Sequence, residues 1–159
     1  MIGSGGDRGP AGRTLRLLSV VAPACDEADV LAEFHRRVSE ALAGVPYELI
    51  MVDDGSSDGT PEILERLAAT DSRLRVLTLS RNFGHQAAIT AGLDHARGDA
   101  TVTLDADLQD PPELIPEMVA QWRDGGDVVS AVRRTRTGET RAKLATARWF
   151  YRVFGRLAQ

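Results

Sequence analysis

Two tight pairs of aspartates, Asp53-Asp54 and Asp105-Ala106-Asp107, are the residues whose type and spacing best suit chemistry. Each pair directly follows a short apolar run of β character, so each stands where a strand gives way to a loop. Two like charges about 4 Å apart repel by roughly 4 kcal/mol at an effective dielectric near 20, so carboxylates gathered in this way invite a cation or shared hydrogen bonds. Asp and Gln oxygens, without a second cysteine or paired histidines, suit magnesium or manganese better than zinc. Such ions bridge protein carboxylates to substrate phosphates. Taken alone, Asp105-Ala106-Asp107 reads more readily as two solvated loop carboxylates, and residues 53–60 as a turn-and-cap sequence rich in Asp, Ser and Gly. The second loop also imitates a calcium site, with Asp54, Ser56, Asp58, Gly59 and Glu65 at positions one, three, five, six and twelve. A helix should precede such a loop, whereas residues 48–52 read as a strand.

The elements that must position these residues follow from hydrophobic period. Residues 15–22, 48–52, 74–79, 100–104 and 127–132 read as strands, and the segments between them as helices. Val30, Leu31, Phe34, Val38 and Leu42 recur at helical spacing. Thr60-Pro61 and Pro112 mark helix starts, because proline fits a first turn whose N–H has no partner anyway. Strand–helix units joined by short loops predict an α/β domain: a mostly parallel sheet with right-handed crossovers and helices on both faces. Ligands then sit at the carboxyl ends of the strands. Those ends are residues 23–27, 53–58, 80–85, 105–110 and 133–136.

Composition bounds the rest. With 159 residues, 43% of them hydrophobic, the chain supports one core and one domain. Residues 1–14 carry five glycines and no apolar period, so they read as a flexible leader that is not a signal peptide. No run of about 18 apolar residues exists to span a bilayer, so membrane contact is expected to be peripheral and the chain cytoplasmic. Cys25 is the single cysteine, which excludes an internal disulfide; it reads as a small packed hydrophobe. The net charge of −4 conceals a basic end: from residue 131 onward eight basic residues face one acid, leaving 11 basic against 22 acidic residues elsewhere. An acidic body does not favour nucleic acid. Residues 15–135 therefore read as the folded domain and 136–159 as a basic amphipathic tail. In that tail Trp149, Phe150, Tyr151, Val153, Phe154 and Leu157 interleave with Arg148, Arg152 and Arg156. Such a helix suits a membrane surface or the rest of a larger domain equally.

Residues 20–27 (VVAPACDE), 52–60 (VDDGSSDGT) and 105–112 (DADLQDPP) together resemble the successive motifs of family 2 glycosyltransferases with the GT-A (Rossmann-like) fold. Residues 80–88 (SRNFGHQAA) and Trp149-Phe150-Tyr151 resemble its polyprenyl-phosphate, dolichol-phosphate-like branch. The match runs over roughly residues 16–157. The resemblance implies that Asp105, Asp107 and Gln109 hold Mg2+ or Mn2+ and the diphosphate. It implies that Pro23, Ala24, Cys25, Glu27, Asp53, Asp54 and Gly84 bind the nucleotide. Asp105, Asp107 and Arg133 would then stabilise the charge left on the departing nucleoside diphosphate. A phosphate acceptor is already anionic and needs positioning more than a general base, so none is nominated. The expected reaction is inverting transfer of a sugar from a UDP-glucose-like donor to polyprenyl phosphate at the cytoplasmic face of the membrane. A homo-oligomer is left open. Cys25-Asp26 stand where the family usually has Tyr-Asn, and its members continue well past Gln159, so the chain reads as truncated at its C-terminus. His85 is divided between a nucleotide contact and a surface residue at a helix start. Two rivals share the sheet: a dinucleotide-dependent dehydrogenase and a sugar nucleotidyltransferase. Both lack their glycine-rich opening loop here. A catalytically silent nucleotide-binding or interaction fragment is the alternative of a different class.

Overall fold

The computed structural model describes residues 2–4 and 12–131, so Arg133 and the tail over 136–159 lie outside the described residues. The core is a parallel four-stranded sheet in the order β4 (Leu74–Thr78), β3 (Tyr47–Asp53), β2 (Leu18–Ala24), β5 (Ala100–Thr103). Every residue of β2 and β3 is buried, as expected for central parallel strands covered on both faces. Their side chains alternate between two apolar layers. Val20, Ala22, Leu49 and Met51 pack beneath α1 (Leu31–Ala41), α2 (Thr60–Thr70) and α4 (Ile115–Arg123), which contribute Leu31, Phe34, Val38, Leu64, Ile115 and Val119. Val21, Ile50 and Val52 point the other way, against Ala88 of α3 (His85–Asp94). Helices on both faces of a mostly parallel sheet are thus present.

The smaller second layer depends on close approach. A Cβ on Gly92 of α3 would lie 2.3 Å from Val21 Cγ1 and 3.1 Å from Val52 Cγ2. Only a hydrogen at that position lets the helix rest directly on the sheet.

The amino ends of the strands are fastened by polar contacts. Glu48, buried in β3, accepts from Ser19 Oγ at 2.7 Å, the Arg97 amide at 2.7 Å and Arg75 at 3.2 Å. Burial pushes this carboxyl up, yet the three donors outweigh burial and hold it below its ordinary range. Ser19 Oγ in turn accepts from the Gly98 amide at 2.8 Å, tying the loop before β5 to the start of β2. Next to it, Asp99 accepts from the backbone amides of Arg16 (2.7 Å) and Leu17 (3.2 Å) and from the Arg16 guanidinium at 2.6 Å.

Several boundaries differ from the sequence reading, among them the strand expected over 15–22, which runs Leu18–Ala24. Residues 127–132 were expected as a further strand of the main sheet. Instead the short β6 (Val129–Ala131) pairs antiparallel with β1 (Ile2–Ser4) in a separate two-stranded sheet, and β1 falls within the stretch read as a leader. Three residues, none of them buried, carry no apolar face that demands a central position. The helix between β2 and β3 does not begin directly after the strand but at Leu31, because Asp26 adopts a left-handed φ of 56° and residues 28–30 form a turn.

Gly92→Ala is expected to destabilise the fold by about 1–3 kcal/mol through overpacking against a stiff valine, read as a lowered denaturant midpoint. The Asp99 carboxyl is held at about 2 by the Arg16 guanidinium and the two amides. The stability it contributes is complete above about 4, its unfolded value, and is lost as pH falls through the folded value. Asp99→Asn should therefore flatten the stability profile over that acid window, measured by urea unfolding at stepped pH.

Candidate functional site

From β2 the sheet grows outward through β3 to β4, then the chain returns across it to place β5 on the other side of β2. At such a reversal the loops beyond neighbouring strands diverge and leave a crevice at their carboxyl ends. A cavity of about 330 Å³ occupies that place. Pro23, Ala24, Cys25 and Glu27 line it from the end of β2, and Asp54 from the end of β3. Asn82, Gly84 and His85 come from the loop into α3, and Asp105, Ala106 and Asp107 from the end of β5.

Local bonding holds these loops together. Asp26 Oδ1 accepts from the Ser57 amide at 2.7 Å, the Asp58 amide at 3.3 Å and Ser57 Oγ at 3.3 Å. The Glu27 amide donates to Thr60 Oγ1 at 2.9 Å. An asparagine oxygen could accept the same bonds, and Asn and Asp both tolerate positive φ. Gly55 has φ 71°, and a Cβ there would stand 2.4 Å from the Arg81 carbonyl carbon and 2.5 Å from the Asn82 nitrogen. The β3 loop can pass the β4 loop only as glycine. Beside it, the buried Asp54 accepts from the Phe83 amide through Oδ1 at 2.8 Å and from the Gly84 amide through Oδ2 at 2.9 Å. Asp53 is buried too but does not line the cavity: Oδ1 accepts from the Ser56 amide at 3.0 Å, while Oδ2 has no hydrogen-bond partner among the described residues.

Asp105 and Asp107 behave differently, being half-buried and directed into the cavity. Their loop is turned by Leu108 at φ 61°, an unusual conformation for a bulky residue, and Asp107 Oδ1 accepts from the Gln109 amide at 2.9 Å. His85 Nε2 lies 3.6 Å from Asp105 Oδ1. Gln109 does not line this cavity; it lines an adjoining one of about 450 Å³ with Asp110, Pro111 and the apolar Val102, Leu114 and Met118. The fold therefore gathers Asp105 and Asp107 without Gln109. Among the described residues no three His, Cys, Asp or Glu side chains are set to hold an ion by themselves. A two-carboxylate site nevertheless fits magnesium or manganese, which complete their shells with phosphate oxygens and water.

Electrostatics point the same way. Burial, then the nearby Asp107, Asp58, Asp105 and Asp26, push the Glu27 carboxyl above its ordinary value. Burial and Asp26 likewise raise the Cys25 thiol, against the opposing hydrogen bond from Asn82 Nδ2 at 3.3 Å. The cavity is acidic and its thiol protonated.

Comparison with known proteins decides the family, since the family model described as glycosyl transferase family 2 matches residues 19–159. The chain belongs to glycosyl transferase family 2. An uncharacterised glycosyltransferase of Bacillus subtilis (strain 168), YkcC, is 50% identical over 137 residues, 85% of this chain and 42% of that protein. A bactoprenol glucosyl transferase of Shigella phage SfV is 40% identical over 143 residues, 89% of this chain and 47% of that protein. The family 2 chain thus spans less than half the length of these relatives. A solved mannosyltransferase of Pyrobaculum calidifontis, in complex with GDP-Man and Mn2+, aligns with TM-score 0.60 and 27% identity over 72% of this chain and 34% of its own. The sheet described above is that of a GT-A fold.

Of the family's expected nucleotide-binding set, the fold brings Pro23, Ala24, Cys25, Glu27, Asp54 and Gly84 to one cavity and leaves Asp53 behind it. Asn82 also lines the cavity, although residue types alone gave it no role. Its signal was its place at a strand end. Asp54→Ala should remove the acceptor for two amides at a cost of about 1–3 kcal/mol each, and hydrogen exchange at Phe83 and Gly84 should lose its protection while that of β2 amides persists.

Proposed function

We propose that this chain forms the donor-binding part of a glycosyltransferase that moves a sugar from a nucleoside diphosphate sugar, UDP-glucose or a relative, to polyprenyl phosphate. The observation that carries the reading is the crevice itself, where two half-exposed aspartates from β5 face loops from β2, β3 and β4. The name of the bactoprenol glucosyl transferase supports a glucose donor and a polyprenyl acceptor. The GDP-Man and Mn2+ in the solved mannosyltransferase support a metal-assisted nucleotide-sugar site.

In this reading Asp105 and Asp107 would hold magnesium or manganese on the diphosphate side of the donor, and its charge would offset that developing on the leaving group. Residues 23–25 and Asp54 receive the nucleoside. An acceptor phosphate oxygen attacks the anomeric carbon as the bond to the donor phosphate breaks, and the nucleoside diphosphate leaves with the electron pair. The chain's residues need only orient these partners, because the attacking oxygen is already anionic. Arg133 is proposed to add positive charge at the leaving group, and the basic residues of 136–159 to bring the site to the cytoplasmic face of a membrane. Among the described residues no helix is long and apolar enough to cross one.

Calorimetric titration with UDP and with GDP, with and without manganese, tests this. One of the two should bind, at least roughly tenfold tighter with the metal, a difference of about 1.4 kcal/mol. Asp107→Ala should abolish that metal dependence. Absence of metal-dependent binding to either nucleotide would favour a silent fragment.

A further inference from the structure

The described lining of the cavity contains four carboxylates, Glu27, Asp54, Asp105 and Asp107, and neither lysine nor arginine. A diphosphate entering it meets like charge on three sides. One divalent cation offsets only part of that repulsion, and among the described residues the remaining wall is where N–H donors can add to it. That wall is the loop between β4 and α3. Two of its amides, Phe83 and Gly84, are already spent on Asp54. The Asn82 side-chain amide is turned to Cys25 Sγ. His85 is the one lining side chain able to carry positive charge, and at 51% exposure its imidazole projects into open space. Its Nε2 stands 3.6 Å from Asp105 Oδ1, near enough to feel the carboxylate yet longer than a hydrogen bond. The ring therefore faces the cavity with the long ion-pair contact to Asp105, and its exposed edge is open to a ligand.

We propose that His85 is the donor's diphosphate contact, its imidazole N–H binding a phosphate oxygen across the cavity from Asp105 and Asp107. This assignment rests on the reading of the cavity as a nucleotide-sugar site. It gives His85 a direct role in binding the leaving group and makes residues 82–85 the phosphate-facing side of the pocket. Arg81, on the same loop, is engaged elsewhere, with its guanidinium 4.2 Å from the Phe83 ring centroid.

The test uses the whole chain with manganese, and compares UDP and GDP with uridine and guanosine. His85→Ala should weaken binding of the preferred nucleoside diphosphate roughly tenfold, within the range for a hydrogen bond to a charged group. Binding of the matching nucleoside should be unchanged, because only the diphosphate loses its partner. His85→Gln should recover most of the loss through its amide N–H, and Arg81→Ala should leave both affinities as they were. Unchanged diphosphate affinity in His85→Ala would overturn the assignment while leaving the donor-site reading intact. So would an equal loss for nucleoside and diphosphate, or a tighter manganese affinity as the sole effect, since the latter would make His85 merely a competitor for Asp105. Wild-type protein that binds neither nucleotide would remove the donor-site reading and this assignment with it.

Discussion

The site depends on one buried carboxylate. Asp54 leaves water with both oxygens occupied by the amides of Phe83 and Gly84, and charge-assisted bonds of this type contribute about 1.5–3 kcal/mol each. Without them the burial of a charge would be prohibitive. With them, the loop after β3 and the loop before α3 become one body, and Gly55 allows their backbones to approach closely enough for the bonds to form. Asn82 and His85 are carried on that body, so their direction into the cavity follows from an interaction in which neither takes part.

The two ends of the sheet use acidic residues in opposite ways. At the amino ends Glu48 and Asp99 are saturated with donors and are held below their ordinary carboxylate range. At the carboxyl ends Glu27 is pushed above it by burial and by neighbours of the same sign. The first arrangement stabilises the empty protein. The second leaves repulsion that a bound cation and its phosphate partner would relieve, a usual sign of a binding site rather than a structural network. Backbone conformation follows the same division, since among the described residues the two non-glycine residues with positive φ, Asp26 and Leu108, both lie in loops at the carboxyl end.

The proposed metal site would also take a definite form in this family 2 chain. Asp105 and Asp107 share the cavity while Gln109 lines the adjoining hollow, whose apolar wall comes from β5, α4 and β6. Two carboxylates leave most of an octahedral shell for water and phosphate. In the proposed donor site, affinity for the ion and for the diphosphate would therefore be coupled, each supplying what the other lacks.

Much of this was legible in the chain itself. The apolar runs indicated the parallel strands because a strand covered on both faces is mostly apolar, and the Asp pairs after them pointed to the carboxyl edge because a charge is costly to bury unless it is paired, as Glu48 is. The sequence reading failed where local pattern is silent: β6 has strand-like residues, but pairing with β1 depends on a segment more than a hundred residues away. Nor could spacing reveal that Asp53 and Asp54, adjacent in the chain, have separate fates. Successive residues at a strand end point to opposite sides, so one is enclosed behind the cavity and the other lines it. Residue identity set which groups could bind charge; the packing of loops from four strands decided which of them meet, because only tertiary structure determines the direction of a side chain beyond its own element.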